Sequence, residues 1–187
     1  GPYLVHQGDG LTLDGSASKD PNESCGDSIV HYEWDLDADG SYEYSGATPT
    51  VPWADLSGLP VDTPTPLRLR VTDEFGLTGT GDTTLTVQNV PPTVDAGPDA
   101  SVAEGSVFAQ SGTFFDPGSD PFEGHVDYGD GSGVQPLPLA PGRTFALHHV
   151  YADNGVYTVT ATVEDDDGGV GADTVEVEVD GKRWTLP

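Results

Sequence analysis

The sequence predicts an all-β chain folded as two tandem two-sheet sandwiches, and three observations carry that expectation. Apolar and polar residues alternate with a period of two in several runs, no stretch shows a 3.6-residue period, and the whole pattern occurs twice at an offset of 90 to 97 residues. A repeat of that length exceeds the ~20–50 residues of solenoid units and points to tandem domains. At ~100–200 residues per domain, a chain of 187 residues holds one large domain or two small ones.

The elements follow in chain order. Val30, Tyr32 and Trp34 alternate with His31, Glu33 and Asp35, and Leu67, Leu69 and Val71 alternate with Arg68, Arg70 and Thr72. In the second half Tyr157, Val159, Ala161 and Val163 alternate with Thr158, Thr160, Thr162 and Glu164. Val175, Val177 and Val179 against Glu176, Glu178 and Asp180 give the clearest closing strand. Thr, Val and Tyr fill these runs, while Gly, Asp, Pro and Asn interrupt them, so each reads as a strand with one buried face. The landmarks between them are duplicated too. Gly15-Ser16 and Asp20-Pro21 are answered by Gly112-Thr113 and Asp116-Pro117, and the Trp34–Gly40 segment by Val126–Gly131. The halves meet at Asn89-Val90-Pro91-Pro92-Thr93. Two prolines donate no backbone hydrogen bond and favour extended chain, which predicts domains 1–90 and 91–187 on a short, stiff connector.

Composition narrows the function. The chain carries 32 acidic and 6 basic residues, a net charge of −26. The acids divide 15 and 17 across position 92, so the charge belongs to both halves and is not a tail. Nucleic acid and anionic membrane surfaces need clustered Lys and Arg and are excluded as partners. Nor is this a disordered acidic segment, since 35% of the chain is hydrophobic. No apolar run approaches the ~20 residues of a membrane span, and no signal-peptide pattern opens the chain. The absence of Met leads us to expect a piece of a longer protein. A single cysteine, Cys25, forbids an internal disulfide and is expected as an exposed, unpaired thiol. Low Lys, high Asp and scarce Cys suit a bacterial exported protein bathed in millimolar divalent cations; an acidic cytosolic protein is the plainer alternative.

The segments Leu13–Pro21, Tyr32–Asp35 and Val71–Asp73 resemble the PKD (polycystic kidney disease) repeat. In the second half Tyr128-Gly129-Asp130-Gly131, His149-Val150-Tyr151, Gly155–Thr160 and Val163–Asp165 resemble it as well, as does the linker from Pro91 to Asp99. The resemblance implies an immunoglobulin-like, PKD-type sandwich in each half, of the kind found in secreted or surface-attached bacterial proteins beside other domains. Such modules are generally non-catalytic, and some bind calcium. The sequence departs from the pattern at an insertion near Asn22 to Asp27, and at Val126, where the family usually places Trp.

The sharpest local motif is Asp35-Leu36-Asp37-Ala38-Asp39-Gly40. Asp at alternate positions followed by Gly is the first half of an EF-hand loop, where a turn at Gly converges three carboxylates on Ca²⁺. Position 12 of that loop is Gly46, so Glu43 at position 9 is the candidate to supply the missing carboxylate. An Asx-turn hairpin, in which the acids satisfy backbone groups, is the competing reading. The resemblance further implies a distributed site in which Asp73 and Asp165 approach the central loop acids, gathering Asp127, Asp130 and Asp165 in the second half. Extracellular calcium sites of this kind bind at roughly 10⁻⁴–10⁻³ M.

Catalysis has no motif to rest on: there is no Gly-x-Ser-x-Gly elbow, no Cys–His arrangement and no phosphate loop. Adjacent strand residues face opposite ways, so His148 and His149 cannot share one ion. Tyr42, Tyr44 and Trp53, with Trp184, are candidates for stacking on sugar rings, with local packing as the competing reading. The expected function is thus a calcium-stabilised, non-catalytic spacer or adhesion module at the cell surface, with neighbouring domains of the same polypeptide as partners. The alternative is an accessory module of a secreted hydrolase that binds polysaccharide or structural protein.

Overall fold

The computed structural model describes residues 1–21, 26–118 and 121–181; Cys25 and Trp184 lie outside them. Two compact units emerge, Gly1–Asn89 and Val90–Pro187.

The first unit comprises β1 (Tyr3–His6), β2 (Leu11–Thr12), β3 (Ile29–Asp35), β4 (Tyr44–Ser45), β5 (Thr50–Val51), a one-turn helix α1 (Trp53–Leu56), β6 (Thr65–Asp73) and β7 (Thr78–Gln88). Its large sheet runs β1-β7-β6-β3-β4, and the opposite layer is reduced to the β2–β5 pair. The β6–β7 hairpin is antiparallel, but β1 lies parallel to β7, Tyr3 opposite Leu85 through His6 opposite Gln88. Leu13, Trp34, Val51, Leu56, Leu67, Leu85 and Val87 form the core. Trp34 is 2% exposed and donates its indole N–H to the Gly46 carbonyl at 3.0 Å, which spares that group an unpaired burial. Gly15 lies beneath it, where a Cβ would come within 3.0 Å of Trp34 and 2.9 Å of Leu69. The expected alternation along β3 does not hold at its start. A bulge between Ile29 and His31 shifts the register and leaves Val30 at 45% exposure, while Asp35 at the other end is fully buried.

The second unit comprises β8 (Thr93–Asp95), β9 (Ala100–Ala103), β10 (Val107–Phe115), β11 (Phe122–Asp127), β12 (Gln135–Pro136), β13 (Leu139–Ala140), β14 (Thr144–Val150), β15 (Gly155–Asp165) and β16 (Val170–Asp180). It is a sandwich of two sheets, β13-β14-β10-β8 and β12-β11-β15-β16-β9. Here the alternation is as expected: Val159, Ala161, Val163, Val175, Val177 and Val179 are buried, and the intervening Thr and Glu point outward. Again the first strand of the large sheet runs parallel to the last, with β9 beside β16. Gly112 repeats the role of Gly15, since a Cβ there would collide with the Phe145 ring. The chain is nearly all β, with two layers of sheet in each unit.

Candidate metal centre

The loop after β3 is built by its own backbone. Asp35 ends the strand, and Ala38 (φ 57°) and Gly40 (φ 100°) take the left-handed conformations that curl the chain back. The Glu43 N–H then returns to the Trp34 carbonyl at 2.9 Å. Within the curl Asp35 accepts hydrogen bonds from the N–H groups of Asp39 (3.1 Å) and Gly40 (2.9 Å), Asp37 from Asp39 (3.1 Å), and Asp39 from Ser41 (2.7 Å). One carboxylate oxygen from each of Asp35, Asp37 and Asp39 lies within 4.8 Å of the others. Each carboxylate keeps lone pairs beyond those bonds, so the set offers a hard cation several oxygens. Glu43 stands outside this group; its Oε2 accepts the Leu36 N–H at 3.0 Å and closes the loop instead.

A second group was not singled out by sequence spacing. Asp20, Asp27 and Asp73 also place one oxygen each within 4.8 Å of the others. Asp27 and Asp73 are each 7% exposed. Asp73 accepts the N–H groups of Phe75 and Leu77, both at 2.8 Å, which shapes the β6–β7 turn. Burial, then the charges of Asp20 and Asp73, push the Asp27 carboxyl above its usual range. A groove of about 300 Å³, walled by Ile29, Val71 and Leu77, opens beside Asp20 and Asp73.

Register corrects the distributed site. Asp73 sits opposite Ile29 whereas Asp35 sits opposite Arg68, so Asp73 and the Asp35 loop are at opposite ends of β3, about 20 Å apart at ~3.3 Å per residue. The same holds in the second unit, where Asp165 pairs with Phe122 and Asp127 with Thr160. Asp127, Asp130 and Asp165 are therefore not gathered, and no group of three such ligands occurs among the described residues of that unit. Each serves its own turn: Asp127 accepts the Gly129 N–H at 2.9 Å, and Asp165 the Gly169 N–H at 2.6 Å. Asp130 accepts the Ser132 N–H and meets His149 Nε2 at 2.7 Å; hydrogen bonds from Ser132 and from His149 hold its carboxyl down at about 2. His149 stacks on Tyr128 at 4.3 Å and meets the Tyr151 edge at 4.7 Å, and Tyr151 in turn stacks on Tyr157 at 4.2 Å.

This ladder joins the Tyr-Gly-Asp-Gly turn to the His-x-Tyr strand end within one sandwich. Residues 89–179 match the PKD domain family. The second unit is a PKD domain, and the first repeats its register, with Trp34 opposite Leu69 where the PKD domain has Val126 opposite Ala161. Among solved structures, the chain is similar to titin domains Z1Z2 in complex with telethonin, at 18% identity over 97% of this chain and 93% of that one, with a TM-score of 0.43. The PKD domain of an M14-like peptidase from a Thermoplasmatales archaeon is 25% identical over 48% of this chain and 92% of its own, with a TM-score of 0.40. The PKD domain of human KIAA0319 is 17% identical over 53% and 90%, with a TM-score of 0.35. No curated protein matches the chain.

The aromatic candidates are not presented for stacking. Tyr42 is half-buried with the Arg70 guanidinium 3.9 Å above its ring. Tyr44 is half-buried and donates its hydroxyl proton to Asp55, and burial pushes the phenol up to about 12. Trp53 packs against the first core from α1. Local packing accounts for all three. Among the described residues no helix is long and apolar enough to cross a membrane.

Proposed function

We propose that this chain is a non-catalytic spacer or adhesion module of a larger extracellular, cell-surface bacterial protein, stabilised by calcium. The single observation that carries the calcium reading is the Asp35–Asp37–Asp39 group, three carboxylates within 4.8 Å of one another on a loop with EF-hand spacing. Asp35 is fully buried there, and a cation beside it would supply the countercharge. Bound Ca²⁺ tightens the curl between β3 and β4 and offsets the self-repulsion of a −26 chain. The partners in this reading are the neighbouring domains of the same polypeptide.

Titration calorimetry with CaCl₂ and thermal melts test it together. With a dissociation constant of roughly 10⁻⁴–10⁻³ M, 10 mM Ca²⁺ stabilises the first unit by about 1.4–2.7 kcal/mol, a rise in Tm of roughly 6–20 °C. The double variant Asp37→Asn, Asp39→Asn, both exposed, removes heat and shift alike. An unchanged melt at millimolar calcium overturns the calcium reading.

A further inference from the structure

The outer faces of the two large sheets correspond residue by residue, yet they are charged differently. In the first unit Glu33 lies opposite Arg70 and Arg68 opposite Asp82. Both pairs close as ion pairs, at 2.8 and 2.7 Å, and Tyr42 covers Arg70. In the second unit the positions of Arg68 and Arg70 are taken by Thr160 and Thr162. Glu123 then sits directly opposite Glu164, a like-charge cross-strand pair that costs stability, and no Lys or Arg among the described residues pairs with either.

Two grooves open on this face. One, of about 260 Å³, is lined by Glu123, Glu164 and Asp166 with Pro121 and Gly168. The other, of about 210 Å³, is lined by His125, Asp127, Thr160 and Thr162, with Val134 as an apolar wall. No Lys or Arg among the described residues lines either. They follow each other along β11 and β15, from the Glu123–Glu164 pair to the Asp127–Thr160 pair, about 13 Å apart at ~3.3 Å per residue. Thr162 and Ala172 stand in line with His125 across this face, both of them small side chains.

We propose that this face of the second unit binds an extended basic segment of a protein partner, with Lys or Arg side chains at positions i and i+4 seated in the two grooves. Even spacing puts both cations on one side of an extended chain, and four residues span the groove separation. The long apolar stem of Lys or Arg suits Val134 and Pro121, and the charged head meets the carboxylates. The inference does not rest on calcium.

Fluorescence polarisation with the full chain in EDTA tests it, using two labelled nonapeptides of one composition: two arginines four residues apart, or adjacent. The spaced peptide is expected to bind at least fivefold tighter. Glu123→Gln with Glu164→Gln removes the preference while raising Tm, because it relieves the opposed charges. The charge-matched pair Asp95→Asn, Asp153→Asn, in the same unit but off the β11–β15 face, leaves the preference intact. Equal binding of both peptides overturns the proposal. So does a preference that survives the glutamine variant, or tighter binding of a chitosan oligosaccharide than of the spaced peptide.

Discussion

The two units solve one packing problem with different side chains. At the centre of the large sheet the first places Trp34 opposite Leu69, the second Val126 opposite Ala161. The lost bulk is recovered from other strands and loops, for Phe108, Tyr128, Phe145 and Tyr151 are all buried in the second core, while the first relies on leucines around one tryptophan. Strand register is thus the shared constraint, and the identity of the filler is free so long as the space is occupied. The loops diverge further. After β3 the first unit concentrates three carboxylates, whereas after β11 the second spends Asp127 on its turn and Asp130 on His149.

The largest test of this contrast is core truncation. Trp34→Ala is expected to cost about 3–5 kcal/mol in the first unit, and Val126→Ala distinctly less in the second, read as separate shifts in calorimetric transitions. A Val126→Ala loss as large as that of Trp34→Ala would show that the second core has not moved its bulk elsewhere.

The acids give the next effects, with opposite signs in the two units. Burial raises the native Asp27 carboxyl above the usual 3.8 of an aspartate, so the folded state holds that proton to higher pH than the unfolded chain. Stability from this group is present below 3.8 and falls as pH rises through the native value. In EDTA, Asp27→Asn should therefore raise the Tm of the first unit at pH 7 and flatten its decline from pH 4 upward. Asp130 is depressed from 3.8 to about 2, so its contribution is present above 3.8 and is lost as pH falls toward 2. Asp130→Asn is expected to lower the stability of the second unit at pH 7 by about 1 kcal/mol, for a partly exposed charge-assisted pair, and to abolish the loss between pH 4 and 2. The smallest effect belongs to Arg70→Met, which breaks the Glu33 pair and uncovers Tyr42. About 0.5–1 kcal/mol, shrinking at high salt, is expected in urea titrations.

Much of the fold was legible because it rests on local alternation. β15 and β16 follow the Val and Thr period residue by residue, and Gly112 marks the same close approach as Gly15. The bulge that exposes Val30 was not legible, since a register slip depends on the partner strand. The four-residue helix at Trp53 is too short to show a period. The Asp35–Asp39 convergence could be read because one short loop makes it. The Asp20–Asp27–Asp73 group could not, for it needs Ile29 to lie opposite Asp73, a pairing between strands far apart in sequence. That same pairing carries Asp73 away from the loop it was expected to join.

One more consequence follows from the parallel pairing that opens each large sheet. β1 runs beside β7, and β9 beside β16, each over four residue pairs in step. In such a pair the N-terminal end of the first strand and the C-terminal end of the last lie at opposite ends of the ladder. A pull on those two strand ends therefore slides the strands past each other and loads the whole row of hydrogen bonds together, where an antiparallel hairpin would unzip them one by one. Each unit's large sheet is latched against tension by its own first and last strands.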